Sequence, residues 1–218
     1  FNGGIEVVAD AGGAVDARLT KQSWAGTEEE AQEELKNVEV RMTQDKDTVR
    51  ITARRLRAEE RSGHESVSAR LRVPPGAVLD LRTNNGPVEL AGGTGKVKVR
   101  TSNGPIRVKD SKGTLDLSTK NGAIVVTGAT SRVELKTSNG PIDLRAEKAV
   151  VRAHTSNGAV RFSGTLADGK HSLSTRNGRI VLTLPADARF RVDARTSHGT
   201  IVNDFSGAKA TGNGVKRL

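Results

Sequence analysis

The sequence predicts an all-β fold: a parallel β-helix, or solenoid, of 18–21-residue rungs with an N-terminal cap that contains one short helix. Three observations carry that prediction. An Asn-Gly pair recurs at a nearly fixed interval, both of its flanks alternate apolar with polar residues, and proline follows several of the pairs where a hairpin could not use it. The whole of 1–218 reads as one domain. Residues 1–75 hold a first rung and an inserted cap, 76–205 the regular rungs, and 206–218 the start of an incomplete one.

Asn stands at 85, 103, 121, 139 and 157, a spacing of 18, then at 177 after 20, and His198 takes its place after 21. The pairs Asn85-Gly86, Asn103-Gly104, Asn121-Gly122, Asn139-Gly140, Asn157-Gly158 and Asn177-Gly178, with Gly199 after His198, therefore mark repeated corners. Four residues before each Asn the row reads Leu81, Val99, Leu117, Leu135, Ala153, Leu173; two before, Thr83, Thr101, Thr119, Thr137, Thr155, Thr175. Three residues after it the row reads Val88, Ile106, Ile124, Ile142, Val160, Ile180. A period of two on both sides is the mark of strands with one buried face. Asn-Gly is also the strongest short hairpin signal. In a two-residue hairpin, however, Ser102 and Pro105 would close the turn, and proline has no N–H to donate. Pro87, Pro105 and Pro141 share that place. A parallel coil bonds each rung to those above and below, so a corner proline loses less there, with Asn and Gly expected to supply left-handed φ at the bend.

The N-terminal elements follow in order. Phe1–Val8 (FNGGIEVV) reads as another corner and strand, with Val15–Leu19 as its partner strand. Thr27-Glu-Glu-Glu30 is a capping box opening a helix over 27–37, with Ala31, Leu35 and Val38 at helical spacing. Two alternating strands, Val38–Met42 and Val49–Ala53, are joined at 44–47. A polar loop around 58–65 leads to a strand at Ser66–Val73 and, through Pro74-Pro75-Gly76, to the first regular rung. Residues 9–75 then cap an end of the solenoid that would otherwise invite edge-to-edge association. At the other end Thr211–Leu218 resembles the opening of a rung, a place for a truncation or for end-to-end contact.

Composition narrows the function. Aromatic residues make up 2% of the chain and cysteine is absent, which excludes disulfides, thiolate chemistry and cysteine-ligated metal. No apolar stretch approaches the roughly 20 residues of a membrane-spanning helix. The net charge of +10 is uneven: residues 1–75 carry 12 Lys/Arg against 14 Asp/Glu, and 76–218 carry 23 against 11. The basic character belongs to the repeats and suits an anionic partner or a solvated face. A start at Phe1 reads as a mature or trimmed chain whose export signal or anchor has been removed.

Candidate sites divide by face. The Thr row shares its parity with the buried aliphatics, so its hydroxyls are expected to satisfy one another and the corner backbone. The Asn row lacks the carboxylates of calcium-binding β-rolls, so no metal site is expected. Outward rows such as Asp80, Lys98, Asp116, Glu134, Arg152 mostly oppose charge between rungs. A less balanced stripe, Arg82, Arg100, Lys120, Lys136, Arg176, Arg179 and Arg195, is the candidate polyanion contact: an acidic polysaccharide or anionic membrane surface. Nucleic acid is disfavoured because there are so few aromatics to stack on bases. His64, His154, His171 and His198 have no metal-ligand spacing, His171 falling in an inward row, and no paired-carboxylate, nucleophile or phosphate-loop motif appears. No catalysis and no cofactor is expected.

The stretch VSARLRVPPGAVLDLRTNNGPVELAG (67–92), the following V-x-V-x-T-S-N-G-x-I-x-V rungs, the N-terminal NGGIEV and the acidic helix near 28–36 resemble the bacterial adhesin-type family of β-strand-repeat envelope proteins. That resemblance implies a right-handed β-helix, exported behind a signal peptide or lipid anchor, without catalytic residues to carry over. It implies a non-catalytic extracytoplasmic scaffold in adhesion or envelope stress sensing, with a protein or glycan of the cell surface as partner and at most a peripheral place at the membrane. The rungs of 20 and 21 residues and His198 depart from the pattern.

Overall fold

The computed structural model describes residues 2–10, 12–56 and 65–188. Phe1–Thr183 form one compact unit and Leu184–Leu218 a second, so the expected rung at His198-Gly199, the incomplete rung at 206–218 and the histidine at 64 lie outside the described residues. In chain order the elements are β1 (Ile5–Ala9), β2 (Asp16–Ser23), α1 (Glu28–Lys36), β3 (Val38–Asp45), β4 (Thr48–Arg55) and β5 (Glu65–Val73). The rungs follow: β6 (Leu79–Arg82), β7 (Val88–Ala91), β8 (Val97–Asn103), β9 (Ile106–Lys109), β10 (Leu115–Asn121) and β11 (Ile124–Ala129). The last are β12 (Arg132–Asn139), β13 (Ile142–Asn157), β14 (Val160–Leu166), β15 (Ser172–Asn177) and β16 (Ile180–Thr183).

Each rung contributes one strand to each of two sheets. Sheet A runs β6-β8-β10-β12-β13-β15 and sheet B β2-β5-β1-β7-β9-β11-β13-β14-β16, the long β13 belonging to B through its first half and to A through its second. Every contact between rungs is parallel. Val97, Leu115 and Val133 lie side by side, 18 residues apart, and the interval widens to 20 where Arg152 meets Ser172. The Asn-Gly segments are thus corners between sheets, not hairpins. The ladder runs through the prolines by their carbonyls: Val88 N–H donates to Pro105 at 3.0 Å and Ile124 N–H to Pro141 at 3.0 Å.

The inward rows form the core. Leu115, Leu117, Ile124 and Val126 of one rung are completely buried, as are Val133 and Ile142 of the next. Full burial of such a side chain stabilises by about 1.5–3 kcal/mol, so a core nearly free of aromatics is assembled from many equal increments. Phe162 is the aromatic exception, in the row of Leu90, Val108, Val126 and Leu144.

Three interactions recur at the corners, with Thr101 as the exception to the second. The glycine N–H donates to the Asn carbonyl of the following rung, as Gly104 does to Asn121 at 2.9 Å. The glycine carbonyl is taken by the buried threonine of that same rung: Thr119 Oγ1 donates to Gly104 at 3.1 Å, Thr137 to Gly122 at 3.1 Å and Thr155 to Gly140 at 3.0 Å. The Asn amides stack outside. Asn121 Nδ2 donates to Asn103 Oδ1 at 2.7 Å, and the series continues in both directions from Asn177 to Asn2. The threonine hydroxyls therefore serve the corner backbone and not one another. Nor does the expected left-handed Asn occur, for no corner asparagine has positive φ. Glycine does take the expected positive φ at Gly86, Gly104, Gly140 and Gly158, and at every described corner it is also required by close approach: a Cβ on Gly122 would lie 2.2 Å from the Gly104 carbonyl oxygen, and one on Gly178 2.0 Å from that of Gly158.

The start of the chain departs from expectation in its pairing. β1 is flanked by β5 and β7, both parallel, with Ile5 beside Ala69 and Val88, while β2 pairs antiparallel with β5 (Leu19 beside Ala69). β5 alternates in phase with the rungs and so fits into the stack, displacing the segment at 15–19 from β1. The reversed β2 ends the series. Ion pairs Arg70–Glu6 (2.8 Å) and Arg72–Asp10 brace these strands outside.

The helix forms as its capping box predicts. Thr27 Oγ1 accepts from Glu30 N–H, and the Glu30 carboxylate accepts from Thr27 N–H. The hairpin β3–β4 is longer than its alternation suggested and turns at Lys46-Asp47, with Lys46 at φ 51°. Arg55, at its end, pairs with the buried Glu65 of β5. Losing one partner of such a pair costs roughly 3–5 kcal/mol, which ties the insertion to the stack.

Two substitutions test the corner. Gly122→Ala should lower stability in urea unfolding by about 1–3 kcal/mol, whereas Gly13→Ala, with nothing within 4 Å of the new Cβ, should leave the midpoint unchanged. Thr137→Val should cost about 1 kcal/mol. Thr101→Val should be neutral or stabilising, because the buried Thr101 hydroxyl has no partner among the described residues.

Candidate polyanion-binding face

The parity that buries the aliphatic rows turns the intervening residues outward. On sheet A the row three residues before each Asn reads Arg82, Arg100, Ser118, Lys136, His154, Ser174, each beside the next in register. Next to the corner runs Asn84, Ser102, Lys120, Ser138, Ser156, Arg176. Across it runs Pro87, Pro105, Ala123, Pro141, Ala159, Arg179. Six of the seven stripe residues thus share one ridge along the Asn corner, Arg179 on its sheet B side, and all six are exposed. Arg195 lies outside the described residues.

Their electrostatic states differ. Arg82 grips Asp80 through two hydrogen bonds of 3.0 and 2.9 Å, and Arg100 lies 3.6 Å from Asp116. Both charges are largely satisfied within the face. Lys120, Lys136, Arg176 and Arg179 form no ion pair among the described residues. The hydrogen bond from Arg82 holds the Asp80 carboxyl below the usual carboxylate range, and the same bond raises the guanidinium.

Charge alternation along the outer rows holds on sheet B, where Arg107–Glu89 (3.3 Å) and Arg161–Asp143 (3.1 Å) pair between rungs. In the Asp80 row of sheet A it holds for Asp80 beside Lys98, Lys98 beside Asp116 and Glu134 beside Arg152, and is broken once. Asp116 and Glu134 are register neighbours, and Glu134 makes no ion pair with Arg152. Further outward bases, Lys96, Lys98, Arg132 and Arg152, likewise have no ion pair among the described residues. Lys98 and Arg152 already stand in an outward row of the sequence, and the same parity adds Lys96 and Arg132, which also stand at odd spacing from their corner Asn.

His171, in an inward row, replaces a missing backbone partner in the 20-residue rung. Its Nδ1 accepts from Val151 N–H at 3.2 Å, which leaves Nε2 to donate to Ala167 O at 3.0 Å. His154 is exposed beside Ser174 at 2.8 Å. Among the described residues no three metal-binding side chains converge, and no helix is long and apolar enough to cross a membrane. A shallow groove on the outer face of sheet B, about 380 Å³, is lined by Glu6, Arg18, Arg70 and Glu89.

The Asp80–Arg82 pair makes a pH prediction. A carboxyl whose folded-state pKa is depressed contributes stability above its unfolded value and loses it as the pH falls through the lower folded one. Arg82→Gln should therefore return the Asp80 carboxyl to the ordinary range in an NMR titration. The small stability difference between this variant and the parent at neutral pH should fade as the pH drops out of the ordinary carboxylate range and vanish below the depressed folded value.

No curated protein and no solved structure matches the chain. A family model does, over residues 21–216, which takes in most of the insertion and every rung described above except β1. With a parallel β-solenoid of 18-residue rungs beneath that match, the chain belongs to the Toastrack DUF4097 family.

Proposed function

We propose that the protein is a non-catalytic, extracytoplasmic scaffold that acts through its outer surface in adhesion or cell-envelope sensing. The supporting observation is how the repeated residues are spent: aliphatics on the core, threonine and glycine on the corner backbone, asparagine on a ladder outside it. What is free to vary, and so to recognise, is the set of outward rows. A second reading, a polyanion-binding module, is favoured by Lys120, Lys136, Arg176 and Arg179, exposed bases of the ridge that make no ion pair among the described residues.

The purified chain should release no product from a panel of polysaccharides, peptides and phosphodiesters, while binding saturably to intact bacterial surfaces. Turnover abolished by Asp116→Asn or Glu134→Gln, the neighbouring carboxylates of sheet A, would overturn the scaffold reading.

A further inference from the structure

The Asn corner is more than a bend. From Arg82 to Arg179 the two rows before it, the ladder itself and the two positions after it contain no carboxylate. Each amide in the ladder is held by a 2.6–2.8 Å bond to the amide of the preceding rung, so the exposed side chains cannot turn freely. One N–H on each Nδ2 is used in that bond, leaving a second N–H and a second oxygen lone pair directed at solvent. The result is a row of oriented donors and acceptors repeating at about 4.8 Å, ordered before any ligand arrives. The half-exposed hydroxyls of Ser102, Ser138 and Ser156 line one flank, with Lys120, Lys136 and Arg176 between and beyond them.

We propose that this ridge is a binding site for an acidic polysaccharide lying along the solenoid axis. The inference rests on the polyanion reading and narrows it to one place and one class of ligand. Paired donors and acceptors match sugar hydroxyls, which need both, and widely spaced cations match a carboxylate on some residues of the polymer. Ordering the amides in advance lowers the entropic cost of binding. A lipid surface is a poorer fit, because these rows offer no large apolar side chain to insert, and single-stranded nucleic acid would want aromatic platforms that the ridge lacks. The bases further from the corner serve as the internal control: Lys98 and Arg152, register neighbours of Asp116 and Glu134, and Lys96, two residues before Lys98.

The test is titration of the full chain with polygalacturonate at low salt. Polyglutamate, phosphatidylglycerol vesicles and a single-stranded oligonucleotide are the comparison probes. Polygalacturonate should bind more tightly than the three others. Lys120→Gln/Lys136→Gln/Arg176→Gln should weaken binding about tenfold, with Lys96→Gln/Lys98→Gln/Arg152→Gln changing it less than about twofold. Ser102→Ala/Ser138→Ala/Ser156→Ala should weaken it without altering its salt dependence. All substituted lysines and arginines are outward, so urea midpoints should match the parent. Equal losses in both charge-reduced variants would overturn the ridge but leave the polyanion reading standing. Equal affinity for polyglutamate, or tighter binding of vesicles or oligonucleotide, would overturn the polysaccharide. No binding of any probe would remove both.

Discussion

The structure depends on how closely successive corners approach. A glycine carbonyl of one rung lies where the Cβ of the next corner residue would be, at 2.0–2.4 Å, so glycine recurs because nothing larger stacks there. That approach leaves a carbonyl which no backbone N–H of the next rung reaches, and the threonine two residues before the next Asn supplies the missing donor at every described corner except that of Gly86, where Thr101 makes no bond. Buried polar groups without partners are costly, so the repeated Thr-x-Asn-Gly is best understood as one unit: donor, amide and clearance.

With the corner settled, the interior needs little specificity. Any aliphatic of suitable size serves in the inward rows, which is why Val, Leu and Ile interchange freely there and Ala153 is accommodated beside Leu135 and Leu173. The outward rows hold side chains that the fold positions but does not otherwise use. Sheet B spends much of its outer charge on pairs between rungs, and the ridge beside the Asn ladder does not. The same stacking that builds the core thus arrays amides, hydroxyls and cations at one regular interval.

The two sheets end differently at the N-terminal side. Sheet B is extended by β1, β5 and the antiparallel β2, whereas β6 is the outermost described strand of sheet A. β6 is short and bears the mutually engaged Asp80 and Arg82, features that discourage further pairing. The insertion is fastened to the stack through Arg55 and the buried Glu65, and Lys21 Nζ donates to Val38 O at 2.5 Å beside it.

Sequence alone determined the period, the phase of each strand and the identity of the corner, because side-chain alternation and the N–H missing from proline are local properties. The inward rows and the capped helix were legible on the same grounds. The reason for the glycine was legible only in part: Gly86, Gly104, Gly140 and Gly158 do take the expected positive φ, but the close approach that also bars a Cβ at Gly122 and Gly178 is a relation between rungs that no single residue shows. Pairing of β1 with β5 also needed the tertiary structure, for a strand's alternation states which face it buries but not which neighbour it joins. The same holds for the site. Sequence placed the bases on the surface, and only the stacked rungs revealed that Arg82 and Arg100 are satisfied by carboxylates while Lys120, Lys136, Arg176 and Arg179 line an ordered, acid-free ladder of amides.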